Sequence, residues 1–159
     1  MVVDGLDLTA FSEPIRLGDL NESGFAGIPA ERGVYVVLRK SSAAPAFLER
    51  SPAGWFKGLD PSYPLAFVKS NWVSGAHVLY VGKAESRRGG LANRVRHLVR
   101  FGFGHSAAHR GGRLIWHLAD AAELQLRWHL EPDANTGESQ LIEAFRAAHG
   151  IRPFANLRK

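Results

Sequence analysis

The sequence predicts a small α/β domain in which helices flank a central, mainly antiparallel β-sheet. The chain has 159 residues, the usual size of one domain, so residues 1–159 are expected to form a single unit. Short runs of apolar, β-branched and aromatic residues, bounded by glycine or polar residues, are typical of strands. Two later segments place apolar residues three or four positions apart, which is typical of helices.

The first half of the chain is predicted to contain two buried strands separated by an insertion. Residues 1–32 are expected to form an N-terminal arm with at most one short helix or strand. Residues 33–39 and 77–82 are apolar and β-branched, so each segment is predicted to be a strand. Residues 40–76 are too many for a structureless loop in a compact domain. We therefore expect an insertion with short elements of its own, in which residues 65–69 could form a strand.

A helix is predicted to follow the second strand. Leu91, Val95 and Leu98 recur at helical spacing and define an apolar stripe on one face. Gly102 and Gly104 are expected to end this helix, because glycine is the common residue just past a helix C-terminus.

The last third of the chain is predicted to contain two strands and a second helix. Residues 113–118 are a mainly apolar run, and residues 124–130 alternate between apolar and polar side chains, so both are predicted to be strands. The helix that follows is expected to be N-capped by Asn135 or Thr136 and to end at Gly150.

The composition excludes several classes of site. The chain has no cysteine, which excludes a disulfide scaffold, a thiolate nucleophile and cysteine-ligated zinc or iron–sulfur centres. No stretch approaches the roughly 20 apolar residues that a membrane span needs. The first residues lack a basic start followed by an apolar run, so no signal peptide is predicted. We therefore expect a soluble, cytoplasmic protein.

Positive charge is concentrated in one stretch of the chain. The formal net charge is +5, yet residues 83–113 contain a single acidic residue, Glu85. The basic residues of this stretch are Lys83, Arg87, Arg88, Arg94, Arg96, Arg100, Arg110 and Arg113. Such a block, interleaved with phenylalanines, is expected of a protein that binds the phosphate backbone of a nucleic acid. The alternative is a solvated basic face without a ligand.

Two charged residues share the apolar stripes of the predicted helices. Arg94 lies three residues after Leu91, and Glu138 lies three residues before Leu141, so both are expected to point inward. Charged groups are seldom buried unless they are paired or coordinate something. The two residues could form a salt bridge with each other or extend to the surface at the edge of the core. Their opposite charges, directed toward a sheet that carries two tyrosines, favour a functional site.

Several short motifs occur in a familiar order. They are Gly33-Val-Tyr35, Tyr80-Val-Gly82-Lys83, Asn93-Arg94-Val95, Glu138-Ser-Gln-Leu-Ile142 and Pro153-Phe-Ala-Asn156. In this order they resemble the motifs of the GIY-YIG nuclease superfamily, whose fold is a small sheet flanked by helices. The two tyrosines are farther apart than in the usual short hairpin of that family, and the insertion at residues 40–76 accounts for the difference.

The resemblance implies a metal-dependent DNA endonuclease that leaves 5′-phosphate and 3′-hydroxyl ends. The catalytic residues it implies are Tyr35, Tyr80, Lys83, Arg94 and Glu138. Glu138 would be the metal ligand and one of the tyrosines the base that activates water.

The chemistry of these side chains suits phosphodiester hydrolysis. Arg94 offers a fork of donors that matches a phosphate group. Glu138 can anchor one Mg²⁺ or Mn²⁺, whereas a two-metal site would need several acids. Either tyrosine could accept a proton from water if its pKa fell well below the ordinary value of about 10. Lys83, Arg94 and the metal would all act in that direction.

Further residues are predicted to contact the nucleic acid. They are Arg87, Arg88, Arg96, His97 and Arg100, together with Asn156 by resemblance. His97 lies about one turn beyond Arg94 and could contact the reacting phosphate or act as an alternative base, or it could be an ordinary surface histidine.

Two other functions remain open from the sequence. A nucleic-acid-binding module with the same fold would explain the basic stretch without turnover, although an inward carboxylate at Glu138 would repel its ligand. A protein-interaction domain would use the aromatic residues of 40–76 as its contact surface. The residues do not distinguish DNA from RNA or from branched nucleic acid, and an oligomer is possible.

Overall fold

The computed structural model describes residues 1–107, 109 and 111–158 of the chain. The strands are β1 (Val2–Val3), β2 (Leu6–Asp7), β3 (Ile15–Arg16), β4 (Gly33–Leu38), β5 (Val78–Ala84) and β6 (Gln125–Leu130). The helices are α1 (Leu17–Ser23), α2 (Leu65–Ser70), α3 (Gly90–Gly102) and α4 (Ala134–His149). Two 3₁₀ helices, Arg113–His117 and Ala121–Glu123, lie between α3 and β6. Among the helices of the described residues, none is both long and apolar enough to cross a bilayer.

The strands form two antiparallel sheets. The larger sheet has the order β3-β6-β4-β5, and β1 pairs with β2 in a separate hairpin. Each neighbouring pair of the larger sheet is antiparallel. The predicted α/β fold with antiparallel strands is therefore confirmed, and β5 is an edge strand.

The central strand β4 separates two apolar clusters. All six of its residues are buried. Tyr35 and Val37 pack in the cluster that includes Val95 of α3, whereas Val36 packs in the cluster that includes Phe145 of α4. This alternation follows from the strand, because successive side chains point to opposite faces of the sheet. The helices α3 and α4 therefore cover opposite faces.

The chain beyond α4 closes part of the exposed edge of β5. The backbone N–H of Ala155 donates to the carbonyl oxygen of Leu79 at 2.9 Å. The side-chain amide of Asn156 accepts from the N–H of Val81 and donates to the carbonyl oxygen of Val81, both at 2.9 Å. Asn156 thus acts as a substitute for a neighbouring strand, and it satisfies backbone groups that would otherwise be buried without partners.

Two predicted strands are helical in the structure. Residues 65–69 lie in α2, where Val68 is the buried residue. Residues 113–118 lie largely in the 3₁₀ helix Arg113–His117, whose apolar side chains are buried. Both predictions were wrong because an apolar run of five or six residues is too short for periodicity to separate a strand from a helical turn.

Two boundary predictions also need correction. The N-terminal arm, residues 1–32, contains three two-residue strands and α1, which is more structure than predicted. The N-cap of α4 is Asp133, whose carboxylate accepts from the N–H of Thr136, so the predicted caps Asn135 and Thr136 lie inside the helix. The predicted end of α4 is confirmed, because Gly150 has the left-handed conformation with φ 75°.

The close approach of Tyr35 to Gly82 generates the first prediction. These two residues pair across β4 and β5, and a Cβ at position 82 would lie 2.5 Å from the Tyr35 hydroxyl oxygen. The Gly82→Ala variant should therefore lose about 1–3 kcal/mol of unfolding free energy through overpacking. Urea denaturation measures this loss.

Gly27→Ala is the matched control, because a Cβ at position 27 has no heavy atom within 4 Å. Equal stability of the two variants would contradict the tight packing of Tyr35 over β5.

Candidate active site at the edge of β5

An open cavity of about 630 Å³ lies beside β5. Its lining includes Tyr80, Lys83, Arg94 and Glu138, which are four of the five side chains that the resemblance marks as catalytic. Tyr35, the fifth, is 0% exposed and contributes no surface to the cavity. The fold therefore brings together residues of β5, α3 and α4 that are distant in sequence.

The edge position of β5 lets it contribute side chains from both faces of the sheet. Tyr80 packs in the apolar cluster on the α3 side. Lys83 is three residues farther along the strand and extends toward α4, where its amino group donates to the side-chain oxygen of Asn135. Because no strand lies beyond β5 in the sheet of the described residues, both side chains reach one cavity around this edge.

Glu138 is the acidic residue of the cavity lining. It lies in α4 and is only 5% exposed. The Lys83 amino group is 3.9 Å from its Oε1 atom, and it is also 3.5 Å from a carboxylate oxygen of the exposed Glu85. A positive charge at this distance offsets part of the cost of burying a carboxylate.

The two tyrosines form a buried pair whose ionisation is disfavoured. Their ring centroids are 6.0 Å apart and the rings are tilted by 58°. Burial raises the pKa of Tyr80 to about 12, although the positive charge of Arg94 acts to lower it. Burial also raises the pKa of Tyr35 well above its ordinary value, and the neighbouring Tyr80 adds to this effect.

The net shift is opposite to the lowered pKa that a tyrosine base would need. Arg94 does act in the expected direction on both phenols, but desolvation is the larger effect. In the chain without a bound cation, Tyr35 and Tyr80 are therefore protonated at neutral pH.

A glycine segment covers the Tyr80 ring. A Cβ at position 111 would overlap the Tyr80 hydroxyl oxygen, so only glycine permits this approach. His109 precedes it and is buried. Burial, followed by the positive charge of Arg94, lowers the pKa of His109 to about 3, so this histidine is neutral. Sequence analysis gave these residues no role, and the Gly111-Gly112 pair was the one local signal of a close approach.

Asn156 lines the cavity, but its side chain is already engaged. Its Oδ1 atom accepts a hydrogen bond from the N–H of Val81, and its Nδ2 atom donates one to the carbonyl oxygen of Val81. The geometry favours a positioning role for Asn156, in which it holds β5 and thereby Tyr80, over the direct substrate contact that the resemblance implies.

The other predicted substrate-binding residues lie outside the cavity lining. Arg87, Arg88, Arg96 and Arg100 are exposed, and His97 is partly buried. Burial lowers the pKa of His97, and the nearby Arg96 adds to this effect. The basic residues that do line the cavity, besides Lys83 and Arg94, are Arg113 and Arg158. Arg110 of the basic stretch lies outside the described residues.

Among the described residues, the cavity lining offers one carboxylate, Glu138, as a ligand for a divalent ion. Within the described residues, no group of three or more histidine, aspartate or glutamate side chains is placed to hold a metal. Mg²⁺ keeps several water ligands and is commonly bound through one or two carboxylates together with substrate phosphate. Glu138, buried at the wall of an open cavity, can supply such a carboxylate.

Comparison with known proteins adds no assignment. No protein-family model, curated protein or solved structure matches the chain. A function is therefore inferred from the motifs and from the geometry of the cavity.

The buried state of Tyr80 generates a prediction about alkaline stability. The pKa of Tyr80 rises from 10.0 to about 12 on folding, so folding favours the protonated phenol. This contribution is complete below pH 10 and is lost as the pH rises through 12. Between about pH 9 and pH 12, the unfolding free energy of the native chain should fall by about 2 kcal/mol more than that of Tyr80→Phe.

Urea denaturation across this pH range measures the difference. Parallel decreases in the two proteins would mean that Tyr80 ionises as easily in the folded chain as in the unfolded one.

Proposed function

We propose that this chain is a metal-dependent endonuclease that hydrolyses phosphodiester bonds in DNA with a single divalent ion. The supporting observation is the cavity at the edge of β5, which is lined by Tyr80, Lys83, Arg94 and Glu138. These residues come from three motifs that resemble those of the GIY-YIG nucleases. Their chemistry provides cations for a phosphate, a carboxylate for a metal and a hydroxyl group for a water molecule.

Arg94 and Lys83 would bind and polarise the reacting phosphate. Arg94 is partly buried in α3, and its guanidinium group offers a fork of N–H donors that matches a phosphate. Donors fixed in advance beside a phosphate stabilise the charge that builds up in the transition state. Lys83 contacts both Glu138 and the exposed Glu85, and it adds a second positive charge.

Glu138 would hold Mg²⁺ or Mn²⁺. The ion would supply positive charge that polarises the phosphate and acidifies a nearby water molecule. A cation in this place would offset the repulsion between the Glu138 carboxylate and the phosphate of a bound nucleic acid.

Tyr80 would orient the attacking water. As the tyrosine that faces the cavity, it is protonated at neutral pH, and its hydroxyl can donate one hydrogen bond and accept another. Tyr35 would act behind it, by fixing the Tyr80 ring through packing. By resemblance, the oxygen of water would bond to phosphorus as the bond from phosphorus to the 3′ oxygen breaks. The products would be a 5′-phosphate and a 3′-hydroxyl, whose oxygen takes up the proton that the water loses.

A binding module without turnover is the second candidate. It is favoured by the exposure of Arg87, Arg88, Arg96 and Arg100, which present positive charge outside the cavity. The binding module assigns the buried Glu138 carboxylate no role toward the ligand, and for this reason we rank it below the nuclease.

Cleavage of supercoiled plasmid with Mg²⁺ or Mn²⁺ tests the proposal. The native protein should nick or linearise the plasmid, and EDTA should abolish the reaction. Glu138→Gln should lower the rate roughly 100-fold or more, because it removes the one charged metal ligand. Glu143→Gln is the matched control, since Glu143 is exposed on the same helix and pairs with Arg146 at 3.1 Å.

Salt-dependent plasmid binding by the native protein without cleavage would support the binding module. Cleavage that survives Glu138→Gln would remove Glu138 from the site.

A further inference from the structure

Arg113 lines the same cavity from a different element. It is the first residue of the 3₁₀ helix Arg113–His117 and follows Gly112, which lies against the Tyr80 ring. Arg94 reaches the cavity from α3. Both guanidinium groups are close enough to His109 for their charges to lower its pKa. Arg94 and Arg113 therefore reach the cavity from two separate elements.

The guanidinium group of Arg113 is held by an aromatic ring. Its Cζ atom lies 5.3 Å from the ring centroid of Phe101, a fully buried residue of α3. A stack of this kind fixes the plane of the guanidinium group and leaves the N–H groups at its edge for hydrogen bonds.

No protein group in the described chain neutralises Arg113. Its Nε atom is buried and has no hydrogen-bond partner. Among the described residues, no carboxylate lies within 4.0 Å of its guanidinium nitrogens, although Arg39 and Arg16 have such partners at 2.8 and 2.7 Å. A buried N–H donor without a partner is costly. An anion from outside the chain would remove this cost.

The cavity has room for more than the reacting phosphate. Its volume of about 630 Å³ lies within the range of sites that hold ligands larger than one phosphate group. In a nucleic acid the nearest further anion is the adjacent phosphate of the same strand.

We propose that Arg113 binds the phosphate next to the reacting one, so that the enzyme acts on internal linkages of a strand and requires a charged neighbour on one side. This inference rests on the proposed function, in which Arg94 binds the reacting phosphate. It adds a second phosphate subsite, built from Arg113 on Phe101.

Duplexes with one neutral linkage test the subsite. Each duplex carries the mapped cleavage site and a single methylphosphonate at one of the two neighbouring positions. The native protein should cleave one of these duplexes roughly 10- to 100-fold more slowly than the unmodified duplex. Arg113→Gln should cleave the unmodified duplex more slowly by a similar factor, and the methylphosphonate should cause it no further loss. Equal losses from the methylphosphonate in both proteins would overturn the proposal.

Binding of an unmodified duplex in EDTA separates this proposal from the nuclease activity. In Arg113→Gln, the slope of log affinity against log salt concentration should become less steep by about 0.9, the value for one lost phosphate contact. Arg113→Lys, which keeps the charge, should retain the slope and restore only part of the cleavage rate. Arg16→Gln is the control, because Arg16 lies on β3 at the other edge of the sheet and pairs with Asp19 and Glu123.

An unchanged slope in Arg113→Gln would overturn the subsite, whether or not the protein cleaves DNA. Absence of cleavage by the native protein, with a slope that still depends on Arg113, would overturn the nuclease proposal and leave Arg113 as a phosphate-binding residue.

Discussion

The closure of the β5 edge by Asn156 is the constraint on which the cavity depends. An edge strand presents unpaired backbone groups, and the side-chain amide of Asn156 satisfies both those of Val81. Ala155 bonds to Leu79 in the same segment, so Tyr80 lies between two fixed backbone positions. Closure by a short segment, instead of a full strand, leaves space beside β5 where Lys83 can meet residues of α3 and α4.

The chemistry of the cavity is set by a competition between burial and charge. Arg94 favours an ionised Tyr80, but desolvation is stronger and raises the pKa of the phenol to about 12. At His109 the two effects act together, because burial and the positive charge of Arg94 both disfavour the protonated imidazole and lower its pKa. Among the described residues, the cavity therefore combines cations with neutral hydrogen-bonding groups and a single carboxylate, Glu138. Such a combination suits an anionic ligand that arrives with a metal ion.

The elements and residues that could be predicted from the sequence are those with a regular or unusual pattern of side chains. The helices α3 and α4 were predictable because apolar residues recur at helical spacing over about two turns in each, and Arg94 and Glu138 were noticeable because they interrupt those stripes. Residues 113–118 were assigned the wrong structure because so short an apolar run fits a strand or a helical turn. The place of Arg113 in the cavity depends on the path of the chain after α3, and no local pattern encodes that path.

The most direct test of the central claim is the fate of oxygen during cleavage in ¹⁸O-labelled water. A defined duplex is cleaved under single-turnover conditions with Mg²⁺ or Mn²⁺, and mass spectrometry identifies both new ends. Hydrolysis by water beside Glu138 predicts one ¹⁸O atom in a 5′-phosphate, an unlabelled 3′-hydroxyl, and cleavage that is roughly 100-fold or more slower in the Glu138→Gln variant. An unlabelled phosphate, a 3′-phosphate end, or no cleavage by the native protein would contradict hydrolysis by water in the cavity beside β5.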